Sequence, residues 1–177
     1  SKKRSTLGAA LVMTAPGIPM LFQGQEVLED EYFRDTDPVD WSKLVTFSGI
    51  RDLYRDLIGL RRNLGGVTAG LKGQHINVHH VNTGAKVVGF HRWDQGGPGD
   101  DVVVLANFSH TTFPSYRIGV PRPGLWRLRF NSDSGVYDPA FSNHPSVDVT
   151  ATAVPYDGMQ YSVDLSIAPY TALVLSQ

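Results

Sequence analysis

The chain has 177 residues, sixteen Lys and Arg against seventeen Asp and Glu for a net charge of −1, and no cysteine. A near-neutral balance with no basic stripe argues against nucleic acid or an anionic membrane as partner. The lack of cysteine rules out disulfides and thiolate metal sites and fits a reducing compartment, so the cytoplasm is the expected location.

The basic start Ser1-Lys2-Lys3-Arg4, followed by apolar residues, imitates a secretory leader. Pro16, Gly17 and Pro19 divide the run, no A-x-A-like cleavage site follows, and the roughly 20 continuous apolar residues of a membrane span are not reached. The run reads instead as a helix with Ser5 as N-cap, continuing to about Thr14, and a buried strand at residues 18–22 after the stop at Ala15-Pro16-Gly17. Helix, tight turn and buried strand form the αβ half of a parallel unit.

Residues 23–45 form a long polar connection with seven acidic side chains interleaved with Tyr32, Phe33 and Trp41. A loop of this length and aromatic content inside a domain is usually ligand-facing or functional. A helix over 47–64 follows, since Ile50, Leu53, Tyr54, Leu57, Ile58 and Leu64 recur at three- and four-residue spacing, with Gly65-Gly66 as its stop.

From residue 75 the pattern changes to short β-branched and aromatic runs at 75–81, 86–93, 102–108, 115–120, 125–130, 160–165 and 171–176. Asn82-Thr83-Gly84 reads as a hairpin loop and residues 96–100 as a longer one, with Asp100-Asp101 a solvated hairpin end. An antiparallel sandwich is the expected architecture. Within it Trp126, Leu128 and Phe130 share one strand face, which reads as core rather than as a sugar platform. His75, Asn77 and His79 share a face in the manner of metal ligands, with His80 on the other. No third ligand is evident, and they read as solvated strand histidines; His91-x-x-Asp94 is no stronger, so no metal site is assigned.

One string is specific. A-P-G-I-P-M-L-F-Q-G-Q-E, residues 15–26, resembles the segment by which the α-amylase superfamily (glycoside hydrolase family 13) enters the eighth strand of its (β/α)8 barrel, with Gly17, Pro19, Gly24 and Glu26 matching a G-x-P-x-x-x-x-G-x-E pattern. D-T-D-P-V-D-W, residues 35–41, resembles the P-L-D-W-type stretch of glycogen and starch branching enzymes, with Val39 in place of the usual Leu. W-R-L-R-F-N-S-D-S, residues 126–134, resembles their C-terminal domain.

The resemblance implies an α+β fragment: residues 1–74 as the last αβ/α elements of a (β/α)8 catalytic barrel, and 75–177 as an all-β antiparallel sandwich C-terminal domain of the α-amylase type. The chain is too short for a complete barrel, which takes roughly 250 residues. The implied parent acts on α-glucan (glycogen, starch or maltooligosaccharide) as a 1,4-α-glucan branching enzyme, or as an α-amylase-type hydrolase if water accepts the chain. A third reading is a noncovalent glucan-binding or purely structural β-domain. The family's Asp nucleophile, Glu acid/base and stabilising Asp belong to earlier barrel strands, upstream of Ser1, so no residue here is assigned a catalytic role. No cofactor is implied, and oligomeric state is open.

At the implied barrel rim, Gln23 and Gln25 are candidates for sugar hydroxyls. Glu26 reads first as a group that orders the rim by hydrogen bonds or an ion pair. Asp40 and Trp41 either contact glucan, the indole stacking on pyranose faces, or pack the loop down, with Tyr32 and Phe33 as weaker versions. Without barrel neighbours, strand 18–22 is expected to be displaced, paired in an oligomer or docked in an unusual way.

Overall fold

The computed structural model describes residues 2–32 and 34–177; Phe33 lies outside the described residues. Thirteen residues, Lys2–Thr14, form helix α1. The helix begins before Ser5, which lies inside it rather than capping it. Small residues dominate its buried face, with Ala9 and Ala10 beside Leu7 and Met13, and this lets α1 pack closely on the second long helix and the last strand.

Residues 18–22 are not a strand. A strand is stable only with ladder partners, and none pairs with this run among the described residues. Ile18 is therefore 98% exposed, and Met20 and Phe22 are exposed as well. The chain passes through a 3-10 turn at Gln25–Val27 and one helical turn, α2, at Lys43–Thr46, before α3 at Ser48–Arg61. Helix α3 buries Ile50, Leu53, Tyr54 and Leu57 as its periodicity predicts. It ends earlier than Gly65-Gly66: Asn63 takes the left-handed conformation that closes it, and Leu64 is left exposed.

Eight strands follow, β1 (His75–Asn82), β2 (Val87–Trp93), β3 (Val102–Asn107), β4 (Phe113–Val120), β5 (Gly124–Asn131), β6 (Val149–Ala151), β7 (Tyr161–Ile167) and β8 (Thr171–Ser176). They make a six-stranded antiparallel sheet in the order β1-β2-β3-β8-β5-β6 and a two-stranded sheet β4-β7. Central strands β3 and β8 are buried along their whole length, and their alternation explains why. Val102, Val104 and Ala106, with Ala172 and Val174, face α1 and α3. Val103 and Leu105, with Leu173 and Leu175, face Ile118, Val163 and Leu165 of the small sheet. The large sheet is thus the middle of three layers, covered by helices on one side and by β4-β7 on the other.

Two strand-level expectations are corrected. Trp126 and Leu128 face the small sheet, but a bulge between Leu128 and Phe130 turns Phe130 to the opposite face, among the helices. All the same, Trp126 is fully buried and Phe130 nearly so. Asp100 and Asp101 are buried rather than solvated. Asp100 accepts the amides of Asp94 and Gln95 at 2.8 Å each; Asp101 meets His91 at 2.8 Å, Arg122 at 2.5 Å and the Gly97 amide at 2.9 Å. Buried carboxylates persist only when so partnered.

Charged groups join the helical layer to the sheet. Arg92, fully buried on β2, donates to the carbonyls of Thr14, Leu71, Gly73 and His75. Arg61 donates to those of Met13, Ala15 and Gly17. Two guanidinium groups thereby satisfy the open carbonyls at the C-terminus of α1, where the helix dipole favours positive charge. Burial, with Arg61 nearby, brings the Arg92 pKa down to about 10. At the other end of α1, Lys3 pairs at 2.6 Å with buried Asp133 and Lys2 with Asp138, while Tyr137 Oη donates to Asp56 of α3 at 2.9 Å.

Candidate functional site: the loop between the two long helices

The loop at residues 22–43 is gathered around the Glu29 carboxylate, with Asp30 adding a 2.5 Å bond to Lys43. Glu29 Oε1 accepts the amides of Asp30 and Glu31 at 3.0 and 3.2 Å and the Lys43 ammonium at 2.5 Å. Its Oε2 accepts the Asp40 amide at 3.0 Å. Lys43, first, and then the amides of Asp40 and Glu31 push the Glu29 carboxyl down to about 2. Glu29 can occupy this position because residue 24 is glycine. Gly24 has φ +86°, and a Cβ there would stand 2.6 Å from Glu29 Cβ. The base of the loop is fixed by Val27, which is buried, and by Leu28, packed against the helical core.

Beyond this clasp, Asp40 Oδ1 accepts the Ser42 amide at 2.9 Å and the Ser42 hydroxyl at 2.6 Å. Its carboxyl is pushed below the usual range chiefly by the Ser42 bonds. Trp41 stands between these pinned residues with 60% of its surface exposed. Tyr32 is also exposed.

Gln23 and Glu26 lie elsewhere, in an open groove of about 580 Å³ along α3, with Leu21, Phe22, Tyr54 and Ile58. Gln25 turns back on its own loop, its Oε1 accepting the Phe22 amide at 2.8 Å. Glu26 makes no hydrogen bond or ion pair among the described residues. Within this chain the ordering bonds of the loop are made by Glu29. Burial, and secondarily the Glu26 charge, raises the Tyr54 phenol pKa. The predicted site residues therefore form two groups, Gln23 and Glu26 in the groove and Asp40 and Trp41 on the clasp.

The strand histidines are less solvated than their alternation predicts, because a register shift lies between Asn77 and His80. His80 is buried, with Nδ1 3.0 Å from both oxygens of Asp157 and Nε2 2.8 Å from Tyr116 Oη. His79 Nε2 lies 3.1 Å from the Gly119 carbonyl oxygen. These contacts close the seam between β1 and β4. His75 is exposed and stacks on Trp93 at 5.3 Å between centroids. Among the described residues, no group of three or more His, Asp or Glu is placed to hold a metal ion. No helix among them is long and apolar enough to cross a membrane.

The three-layer arrangement of helices over an antiparallel sheet stack has a recognisable affiliation. Residues 54–177 match the family of the alpha amylase C-terminal all-beta domain, and the chain belongs to it. The match begins within α3. Along nearly its whole length the chain is also similar to enzymes of one kind. It is 31% identical over 177 residues to a 1,4-alpha-glucan branching enzyme of Frankia casuarinae, covering 94% of this chain and 21% of that protein. It is 28% identical over 169 residues to one of Corynebacterium diphtheriae, covering 89% of this chain and 22% of that protein. The chain spans about a fifth of the length of these curated relatives. The solved structure of a gamma-CGTase from Bacillus clarkii shares the fold, with a TM-score of 0.68 at 14% identity over all of this chain and 23% of that one.

Proposed function

We propose that the chain is the C-terminal portion of a 1,4-α-glucan branching enzyme. The parent cuts an α-1,4 link, holds the glucan chain covalently and passes it to a 6-hydroxyl to form an α-1,6 branch. The carrying observation is the similarity to branching enzymes over 94% of the chain. Retaining transfer needs two carboxyl groups about 5–5.5 Å apart across the scissile bond. These lie upstream in this reading, and the chain alone is catalytically silent. Residues 1–74 complete the parent's barrel, which supplies partners for the exposed run at 18–22, and residues 75–177 are the β-domain. The parent works in the cytoplasm.

Within the parent, the loop lies at the glucan-binding rim. An exposed indole flanked by a carboxylate suits a sugar, since the ring stacks on the apolar face of a pyranose and Asp40 accepts its hydroxyls. Gln23 and Glu26 supply further polar contacts along the groove, and Gln25, whose Oε1 holds the Phe22 amide, keeps its amide nitrogen for a sugar hydroxyl at the rim. The β-domain serves as structural support, because Trp126 and Phe130 are buried and offer no platform. Incubating amylose with this chain alone and with the intact protein tests the division of labour: activity is expected only from the intact protein. New branches or reducing ends made by the chain alone refute the silent-fragment reading.

A further inference from the structure

We propose that Glu29 is a positioning residue for glucan: it fixes the Asp40–Trp41 corner in its binding geometry without touching the sugar. The inference rests on the glucan-contact reading of Trp41. The motif that carries the family resemblance contains Gly24 and Glu26 but not Glu29. The carboxylate of Glu29 bonds both limbs of the loop, the amides of Asp30 and Glu31 on one side and Asp40 and Lys43 on the other; the exposed Asp30 carboxylate adds a second bond to Lys43 at 2.5 Å.

Two independent features place it there. Gly24 leaves room that a Cβ would fill at 2.6 Å, and the Glu29 amide donates to the Gly24 carbonyl at 2.9 Å. Val27 is buried in the body of the protein. The clasp thus transmits a fixed point to a ring that is 60% exposed. Pre-ordering the ring removes part of the cost of immobilising it when sugar arrives. With the clasp open, Asp40 and Trp41 sample many positions and bind glucan less well, while the reacting carboxylates elsewhere are untouched.

A double-mutant cycle in the intact protein, assayed for transfer on amylose, tests this. Glu29→Ala and Trp41→Ala are each expected to raise KM for amylose by about fivefold, with kcat little changed, within the ~100-fold that a 1 Å misplacement can cost. The double variant should lose clearly less than the product of the two single losses, because the ring cannot be lost twice and only the misplacement of Asp40 is added. Glu29→Gln keeps an acceptor for the amides but loses the ion pair with Lys43, and should fall between. Thermal melts by circular dichroism check that each variant folds; if Glu29→Ala does not, Glu29→Gln carries the cycle. An unchanged KM in the Glu29 variants, or effects that add in the double variant, overturns the positioning role and leaves the Trp41 contact standing. An unchanged KM in Trp41→Ala overturns the contact and the positioning with it.

Discussion

Replacing Arg92 with Met tests how the helical layer is held to the sheet. Met fills much of the same space but donates nothing, so the carbonyls of Thr14, Leu71, Gly73 and His75 lose a partner. The bonds to Gly73 and His75, at 2.6 and 3.0 Å, are the well-formed ones, and a hydrogen bond to a charged group contributes about 1.5–3 kcal/mol. A cation at a helix C-terminus adds about 0.3–1 kcal/mol. Against these stands the burial of the guanidinium, which Met relieves and which is visible in the fall of its pKa to about 10. The net loss expected is about 3 kcal/mol. At about 2–4 °C per kcal/mol for a protein of this size, the melting point should fall by roughly 6–12 °C. Urea unfolding measures the free energy, and hydrogen exchange shows where it goes: α1 amides should lose protection before those of β3 and β8. A variant within about 0.5 kcal/mol of the parent, with α1 protection unchanged, refutes the reasoning.

Three further outcomes follow from the same geometry. The Glu29 carboxyl, held at about 2 against an ordinary 4.5, stabilises the loop fully above pH 4.5 and loses that contribution as pH falls toward 2. The Asp40 amide resonance should therefore be flat from neutral pH down to about 4 and move only as pH approaches 2; a midpoint near the ordinary 4.5 contradicts the clasp. Trp126→Ala should cost about 3–5 kcal/mol in urea unfolding, while Trp41→Ala should stay within about 0.5 kcal/mol; similar costs would mean that one of the two rings is misplaced. In Gly49→Ala the new Cβ would stand 2.1 Å from the Tyr137 carbonyl oxygen, a backbone atom that cannot swing away. A loss of about 1–3 kcal/mol is expected by thermal melting, and a neutral result removes the close contact of α3 with the loop after β5.

What the sequence revealed and what it hid divide along physical lines. Helix α3 and strands β3 and β8 were legible because burial writes a period into the residues: Ile50, Leu53 and Leu57 on one face, and unbroken apolar runs in strands covered on both sides. Residues 18–22 carry the same apolar signal, but a strand exists only with a neighbour, and sequence composition says nothing about whether one is present. The reversal of Phe130 turns on a single bulge, which breaks the period of two without a residue-level mark. Strand β6, three residues long, is too short to show any period. At the site, exposed Trp41 was readable as a residue type. The Glu29 clasp was not, because it depends on Asp40 and Lys43 returning in space 11 and 14 residues later. Asp101 was hidden likewise: adjacent acids look solvated until His91 and Arg122 are brought beside them.

The central claim is that the parent transfers glucan rather than merely cutting it. Amylose incubated with the intact protein should gain α-1,6 anomeric proton signals in NMR while its reducing ends stay nearly constant. Reducing ends that rise with no α-1,6 signal would contradict the claim and make the parent a hydrolase.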